Sequence, residues 1–227
     1  MDARGRIRLY HRGNGADNLG HMGYEKEEMK KYELTSETKI FFGHILYRIK
    51  ALSSFGCVSA GDLGGFLESE KNLSQNGDAW VYGDAWVYGD AEVSDNAEVY
   101  GNARVYGNAR VSGNAGVYGN AMVFGDARVS GNAWVYGNAR VFGDAEVSEI
   151  GAIFWIGAIG SRNDTATFFR CRDGSIKVVC GCFFGNLDEF AKKVRKTHGD
   201  NDHAKVYMLA IDMAKIRIST EKEKTEE

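Results

Sequence analysis

Apolar and polar positions alternate with a strict period of six through the middle of the chain. Residues 77–148 spell one phrase, G-[N/D]-A-x-V-[Y/S/F], twelve times without an insertion. Neighbouring side chains of a strand point to opposite faces, so the Ala and Val of each phrase share one side. The Gly-Asn or Gly-Asp pair allows a sharp corner, and only Asp95 replaces a Gly. The phrase therefore predicts short strands that turn a corner every six residues around an interior of Ala and Val.

The last position of the phrase carries a second period of 18 residues, in which two aromatic residues are followed by a serine. Solenoid repeats stack on their neighbours, so three hexads per turn bring each residue type back over itself. We expect a mainly β fold, a three-sided parallel β-helix of four coils, with one column on each face. The tyrosine column is Tyr82, Tyr100, Tyr118 and Tyr136; the mixed column is Tyr88, Tyr106, Phe124 and Phe142; the serine column is Ser94, Ser112, Ser130 and Ser148.

Both ends of such a prism need a cover, because an open coil exposes its core and an unpaired strand edge. Residues 29–76 predict an N-terminal β cap that contains a hairpin around Gly43. Residues 149–219 predict a small C-terminal α+β domain. It begins with an apolar strand, Ile150–Ile159, and continues with two strands, Thr165–Cys171 and Ser175–Phe184, joined at Asp173-Gly174.

Two helices follow in this C-terminal domain. Asn186 with Glu189 three residues later is a capping arrangement that begins the first helix, and Gly199 ends it. Residues 200–202 can cap the second helix. Its predicted buried side is Val206, Tyr207, Ala210, Ile211, Met213 and Ala214.

The two ends of the chain lack apolar periodicity. We expect residues 1–28 to be disordered or an upstream mistranslation, with Met29 as the native start; an ordinary flexible arm is the alternative. Residues 220–227 are charged and predict a loose tail.

The hexads resemble the left-handed β-helix of the hexapeptide-repeat superfamily, to which many trimeric acyltransferases belong. The resemblance covers about a third of the chain, and this phrase places its Gly one residue later than the superfamily's enzymes do. Three C-terminal phrases, at residues 160–162, 180–183 and 197–200, resemble a domain of unknown function that accompanies such repeats in bacteriophage and Firmicutes prophage proteins. The cap phrases at residues 62–67 and 72–74 resemble the same proteins. These resemblances imply a left-handed coil and a gene of mobile DNA.

Charge and composition narrow the function classes. A formal net charge of −3 provides no basic field for nucleic acid. No apolar run is long enough to span a bilayer and no leader pattern is visible, so we expect a protein of the bacterial host cytoplasm that does not bind membranes. The four cysteines favour reduced thiols over a disulfide framework.

Two groups of C-terminal residues offer ligand chemistry. The loop Ser161-Arg162-Asn163 follows a strand end and could hold an anion through the guanidinium; a solvated loop is the alternative. A second group has the ligand types of a zinc site, but Cys-x-Cys lacks the usual zinc spacing, and we expect buried cysteines and a helix-capping loop without a metal or cofactor. That group is Cys171, Cys180, Cys182, His198, Asp200, Asp202 and His203.

The tyrosine and mixed columns, with Trp80, Trp86 and Trp134 beside them, predict more exposed apolar area than a soluble monomer tolerates. We expect the terminal domains or a homo-oligomer, with a trimer favoured, to cover them. The alternative is a recognition surface for a partner protein or the bases of a nucleotide.

Two functions remain open. An acyltransferase needs a histidine base near the coils, but residues 72–197 contain no histidine, and the unbroken phrase leaves no inserted loop. We therefore expect a non-enzymatic binding or scaffold protein that binds a host protein or sequesters a small ligand such as a nucleotide, with the acyltransferase as the alternative. His44, beside a predicted turn, is interpreted as solvated rather than catalytic.

Overall fold

The computed structural model describes residues 29–218. The predictions for residues 1–28 and 220–227, and the last residue of the C-terminal domain, lie outside that range. Fifteen strands precede Ile150, and four strands and two helices follow it. The strands are β1 Tyr32–Phe41, β2 His44–Ala51, β3 Leu63–Leu67, β4 Trp80–Val81, β5 Trp86–Val87, β6 Glu92–Val93, β7 Glu98–Val99, β8 Arg104–Val105, β9 Arg110–Val111, β10 Gly116–Val117, β11 Met122–Val123, β12 Arg128–Val129, β13 Trp134–Val135, β14 Arg140–Val141, β15 Glu146–Val147, β16 Ile153–Ile159, β17 Asp164–Arg170, β18 Ile176–Cys180 and β19 Phe183–Asn186; the helices are α1 Leu187–His198 and α2 Asp202–Arg217.

The twelve hexads form the predicted three-sided parallel β-helix. Each hexad contributes one two-residue strand, and every strand pairs in parallel with the strand 18 residues away, as Val105 pairs with Val123 and Val123 with Val141. The three faces are the sheets β4-β7-β10-β13, β5-β8-β11-β14 and β6-β9-β12-β15. They carry the tyrosine, mixed and serine columns respectively, which confirms the predicted period of 18 residues.

The residues in the interior and at the corners are those that the repeated phrase predicts. The Ala and Val of all twelve hexads are at most 1% exposed, so they form one continuous core. The corner glycines have positive φ, and Asp95 adopts the same conformation with φ of 59°. The polar corner residues stack as well, since Asn96 donates to Asn114 and Asn114 to Asn132, each at 3.1 Å.

The N-terminal cap extends the mixed face upward. Strand β2 pairs antiparallel with both β1 and β3, and β3 pairs in parallel with β5, so one seven-stranded sheet runs from the cap into the solenoid. Leu73 pairs in parallel with Val93, which adds a partial fifth turn above the four coils. The Nζ of Lys31 donates to the carbonyls of Gly77 and Ala79, at 3.2 and 2.9 Å, and so satisfies part of the open edge.

The C-terminal domain is a four-stranded antiparallel sheet, β16-β17-β18-β19, followed by the two helices. Successive residues of β17 face opposite sides: Phe168 packs with the helices, whereas Phe169 belongs to the solenoid core. The backbone of Cys171 forms an antiparallel β-bridge with that of Ala145, which closes the last coil. The predicted strand Ser175–Phe184 is two strands, because Gly181-Cys182 turns the chain between them.

The capping residues of both helices agree with the sequence prediction, but the predicted buried side of α2 is only partly buried. Asn186 and Glu189 form the expected capping box, and Gly199 is the C-cap of α1. The sequence pattern predicts Val206 and Met213 on the buried side, but 43% and 49% of their surfaces are exposed. The sheet covers only the side of α2 that carries Tyr207 and Ile211, so the other apolar side faces outward.

Candidate ligand-binding site

The turn between β16 and β17 and the turn between β18 and β19 meet beside α1 and α2. Gly160 and Asn163 have positive φ, and the amide of Asn163 donates to the carbonyl of Gly160 at 3.3 Å, which closes the first turn. The second turn places Gly181 opposite the first. The two helices complete a cavity between these turns, which we call the Arg162 pocket.

The Arg162 pocket has a volume of about 270 Å³ and a mixed lining. Three cationic or imidazole side chains, Arg162, Lys193 and His198, face one cavity with the acidic residue Asp164. Hydroxyl groups and apolar rings complete the wall. The other lining residues are Ser161, Thr197, Tyr207, Cys180, Cys182, Phe183, Phe190 and Val194.

Two glycines allow the walls to close on one another. A methyl group on Gly160 would overlap the hydroxyl of Tyr207, and one on Gly181 would overlap the Nη2 of Arg162. Both glycines also have positive φ, at 72° and 58°. The positions of the Tyr207 ring and the Arg162 guanidinium therefore depend on residues without a side chain.

The electrostatics of the pocket favour binding an anion over nucleophilic chemistry. Arg162 and Lys193 form no hydrogen bond or ion pair with any other residue in the range 29–218. Burial raises the pKa of the Cys180 thiol, although Arg162 opposes the rise. Burial and the contact with Cys180, whose Sγ is 3.7 Å from the hydroxyl, raise the pKa of Tyr207 to about 12. A thiol with a raised pKa is mostly protonated at neutral pH and is a poor nucleophile.

The structure brings together two of the three predicted loop residues. Ser161 and Arg162 line the pocket, whereas Asn163 forms the turn and is not part of the wall. Sequence reasoning missed Lys193, Thr197 and Tyr207. A weak signal existed for the first two, since residues four apart lie on one face of a helix.

The seven residues considered for a metal do not form one cluster. Cys180, Cys182 and His198 line the Arg162 pocket, while Cys171 lies at the junction with the solenoid. In residues 29–218 the group with suitably close ligand atoms is instead Asp144, Cys171 and Asp173. The ammonium of Lys177 is 2.7 Å from Asp144 in that group. It therefore already supplies a positive charge to this carboxylate.

The aromatic columns stack as predicted. In the mixed column the ring centroids of neighbours are 4.6 to 5.0 Å apart. In the tyrosine column Tyr100, Tyr118 and Tyr136 stack at 4.9 and 4.8 Å, while Tyr82 meets Tyr100 edge-on. Stacking hides a large part of each ring, so the columns expose less apolar surface than the sequence predicted.

The terminal domains cover both ends of the mixed column. Tyr88 is 8% exposed beneath Phe41 and His44, and Phe142 meets Phe184 at 4.6 Å. His44 is itself held by Glu68, with 2.8 Å between Nδ1 and Oε1. It is therefore half-buried and paired rather than freely solvated.

Only one of the three predicted surface tryptophans is well exposed. Trp80 is 1% exposed because the N-terminal cap packs Tyr32 and Phe55 against it, so this residue belongs to the core. Trp86 contacts both Phe41 and the guanidinium of Arg104, which leaves it only partly exposed. Trp134 is 49% exposed.

Trp134 borders a cleft of about 390 Å³ at the base of the tyrosine column, which we call the junction cleft. Tyr136, 40% exposed, meets Trp155 edge-on at 4.2 Å. Ile150, Ile153 and Phe154 complete an apolar wall with Arg217 at its side.

Within residues 29–218 neither helix is long and apolar enough to cross a membrane.

Comparison with protein families identifies a known repeat in the hexads of the solenoid. Five overlapping stretches match the model of the YdcK beta solenoid repeat, at residues 97–113, 103–119, 115–131, 123–137 and 133–149. Together they cover residues 97–149, which lie within the last three coils except for residue 149. No curated protein matches the chain. The chain is thus a β-helix repeat protein whose coils are similar to the YdcK beta solenoid repeat.

Proposed function

We propose that this chain is a non-enzymatic binding protein that holds a small phosphorylated ligand, such as a nucleotide, in the Arg162 pocket. The observation that carries the proposal is the convergence of Arg162, Lys193 and His198 on one cavity. Guanidinium and ammonium groups bind phosphate oxygens through charge-assisted hydrogen bonds. Neither Arg162 nor Lys193 forms a hydrogen bond or ion pair with another residue of the range 29–218, so the donors of both are available to a ligand.

The rest of the lining suits the other parts of such a ligand. The hydroxyls of Ser161 and Thr197 can donate to further oxygens, and Phe183 offers an apolar ring to a sugar or base. At about 270 Å³ the cavity is at the small end of ligand pockets, which favours a mononucleotide or a smaller phosphate ester.

The geometry gives no comparable support to the acyltransferase alternative. The coils carry no histidine, and His44 in the cap is held by Glu68. His198 lies in the Arg162 pocket, whose thiol Cys180 has a raised pKa. A binding role needs no base or nucleophile and uses the cations as they stand.

The cellular setting is part of the proposal. The resemblance of the terminal domains to prophage proteins supports a phage-encoded protein that acts in the cytoplasm of a bacterial host, on a host ligand or a host protein. The resemblance of the coils to the hexapeptide-repeat superfamily, together with the half-buried columns, supports self-association, with a trimer favoured.

Isothermal titration calorimetry of the full chain with AMP, ADP and inorganic phosphate tests the pocket. We expect Arg162→Gln and Lys193→Gln each to weaken binding at least tenfold, the loss of about one charged hydrogen bond. Lys192→Gln is the matched control, because this neighbouring cation on α1 does not line the pocket. Equal weakening by the Lys192 and Lys193 substitutions would indicate nonspecific charge attraction. If none of the three anions binds, the proposal is wrong.

A further inference from the structure

The turn between β1 and β2 presents an exposed apolar tip. Phe42 and Gly43 are the two turn residues, and their φ values of 46° and 87° match the type I′ pattern. Phe42 is 89% exposed and Ile40 is 78% exposed. Ile45 lies opposite Ile40 across the hairpin and is 46% exposed. We call Ile40, Phe42 and Ile45 the hairpin knob.

The ring of Phe42 meets that of Phe41 edge-on at 4.6 Å, but this contact leaves Phe42 almost fully exposed. A bulky residue at positive φ is strained, and Asn is the preferred residue at this turn position. The contact between the tip and the solenoid is made by Phe41, whose ring is 4.9 Å from that of Trp86. An exposed aromatic ring in a strained conformation points to a role outside the hairpin.

The junction cleft is an apolar cavity whose size and lining suit the side chains of the hairpin knob. It is open, apolar and partly aromatic, with Trp134 and Tyr136 exposed at 49% and 40%. A cavity of about 150 Å³ holds a benzene ring, so the cleft volume of about 390 Å³ admits the ring of Phe42 together with part of Ile40. Arg217 at its side offers a guanidinium to an inserted ring.

The knob and the cleft belong to opposite ends of the solenoid. Phe41 anchors the knob beside Trp86 of the first coil, whereas Trp134 and Tyr136 belong to the last coil. These two coils are the outer strands of each four-stranded face, with two strands between them, so the knob does not reach the cleft of its own chain.

We propose that the hairpin knob of one copy inserts into the junction cleft of a second copy. This contact rests on the self-association inferred above and names a different surface from the side-by-side columns; it does not depend on the Arg162 pocket. The two patches differ, so the interface is heterologous and builds either a closed ring or an open chain. Three side chains bury far less than the roughly 800 Å² per partner of a standard interface. The assembly should therefore be reversible and depend on concentration.

Sedimentation velocity of the full chain over a range of concentrations tests the contact. We expect Phe42→Asn to weaken association about 30-fold or more, as the loss of an aromatic anchor does. Its melting temperature should stay the same or rise, because Asn suits the turn. Trp134→Ser removes the cleft wall and should dissociate the particle independently of the hairpin. Leu209→Ser, at a 63% exposed position on α2, is the control and should leave association unchanged.

Mixing the two variants decides whether the interface is heterologous. The Phe42→Asn chain keeps its cleft and the Trp134→Ser chain keeps its knob, so each alone should be monomeric while an equal mixture forms dimers and nothing larger. Association that survives both substitutions, but is lost in the double variant Tyr106→Ser, Phe124→Ser, would overturn the knob contact in favour of side-by-side columns. A monomeric wild type would overturn both, and phosphate binding in the Arg162 pocket would be unaffected.

Discussion

The guanidinium of Arg162 lies against the α-carbon of Gly181, where any side chain on residue 181 would have to sit. Gly181 is also the residue that turns the chain from β18 to β19, with φ of 58°. One glycine thus serves the hairpin and leaves room for the cation that defines the pocket. The two roles can be separated experimentally, because Gly174 turns another hairpin and has no side chain packed against it.

Gly181→Ala should weaken phosphate or nucleotide binding about tenfold or more, since the new methyl displaces the Arg162 guanidinium. It should also cost about 1–2 kcal/mol of folding stability, the usual penalty for a non-glycine residue at positive φ. Gly174→Ala is the matched control: this residue has φ of 78° in the β17–β18 turn, with no atom within 4 Å of an added methyl. Urea denaturation should show similar losses in both variants, and calorimetry should show the affinity loss in Gly181→Ala alone. Equal affinities would remove Arg162 from the binding site.

Much of the solenoid is predictable because the residues that determine its conformation lie within each hexad. The inward Val, the corner Gly and the period of the last residue are local signals, and the described structure repeats them from Val81 to Val147. The inward and corner positions need no information from a distant part of the chain. The columns follow automatically from the 18-residue turn.

The pocket and the caps were less predictable because they depend on contacts between distant segments. Arg162 and Lys193 are 31 positions apart and meet only when α1 packs beside the β16–β17 turn. Trp80 has the phrase position of an outward residue but is buried by Tyr32 and Phe55 of the cap. Val206 and Met213 fit a helical stripe, yet the sheet covers a different side of α2. In each case the partner, not the local pattern, decides burial.

Replacing Val123 with Asp should unfold the solenoid. Val123 is fully buried in a core of Ala and Val, so a carboxylate there finds no partner and costs about 3–5 kcal/mol. Domains are typically stable by only about 5–15 kcal/mol. Met122→Asp is the control, because the preceding residue points outward and should change stability by about 1 kcal/mol or less. Circular dichroism during heating measures both; equal melting temperatures would contradict the inward position of Val123.

Tyr88 gives the fold a dependence on alkaline pH. Its ring stacks on Tyr106 with centroids 5.0 Å apart. Burial raises the pKa of Tyr88 to about 12, and the neighbouring Tyr106 adds to the rise. The pKa in an unfolded chain is about 10. A folded pKa above the unfolded one means that the folded state keeps its proton longer, so this stabilisation is complete below pH 10 and is lost as pH rises from 10 to 12.

Tyr88→Phe should therefore be nearly neutral at pH 8 and should be the more stable protein at pH 11.5. The column already uses Phe at positions 124 and 142, so the stack can accept the change, and the variant has no hydroxyl to ionise. The difference in unfolding free energy should grow by up to about 1.4 kcal/mol per pH unit above pH 10. Burial also lowers the pKa of Lys31 to about 8 and raises that of Cys171 to about 12, but both groups are present in wild type and variant and cancel in the difference. Urea denaturation of the two proteins at pH 8, 10 and 11.5 measures it, and a difference that stays constant with pH would show that Tyr88 ionises as freely in the folded chain as in the unfolded one.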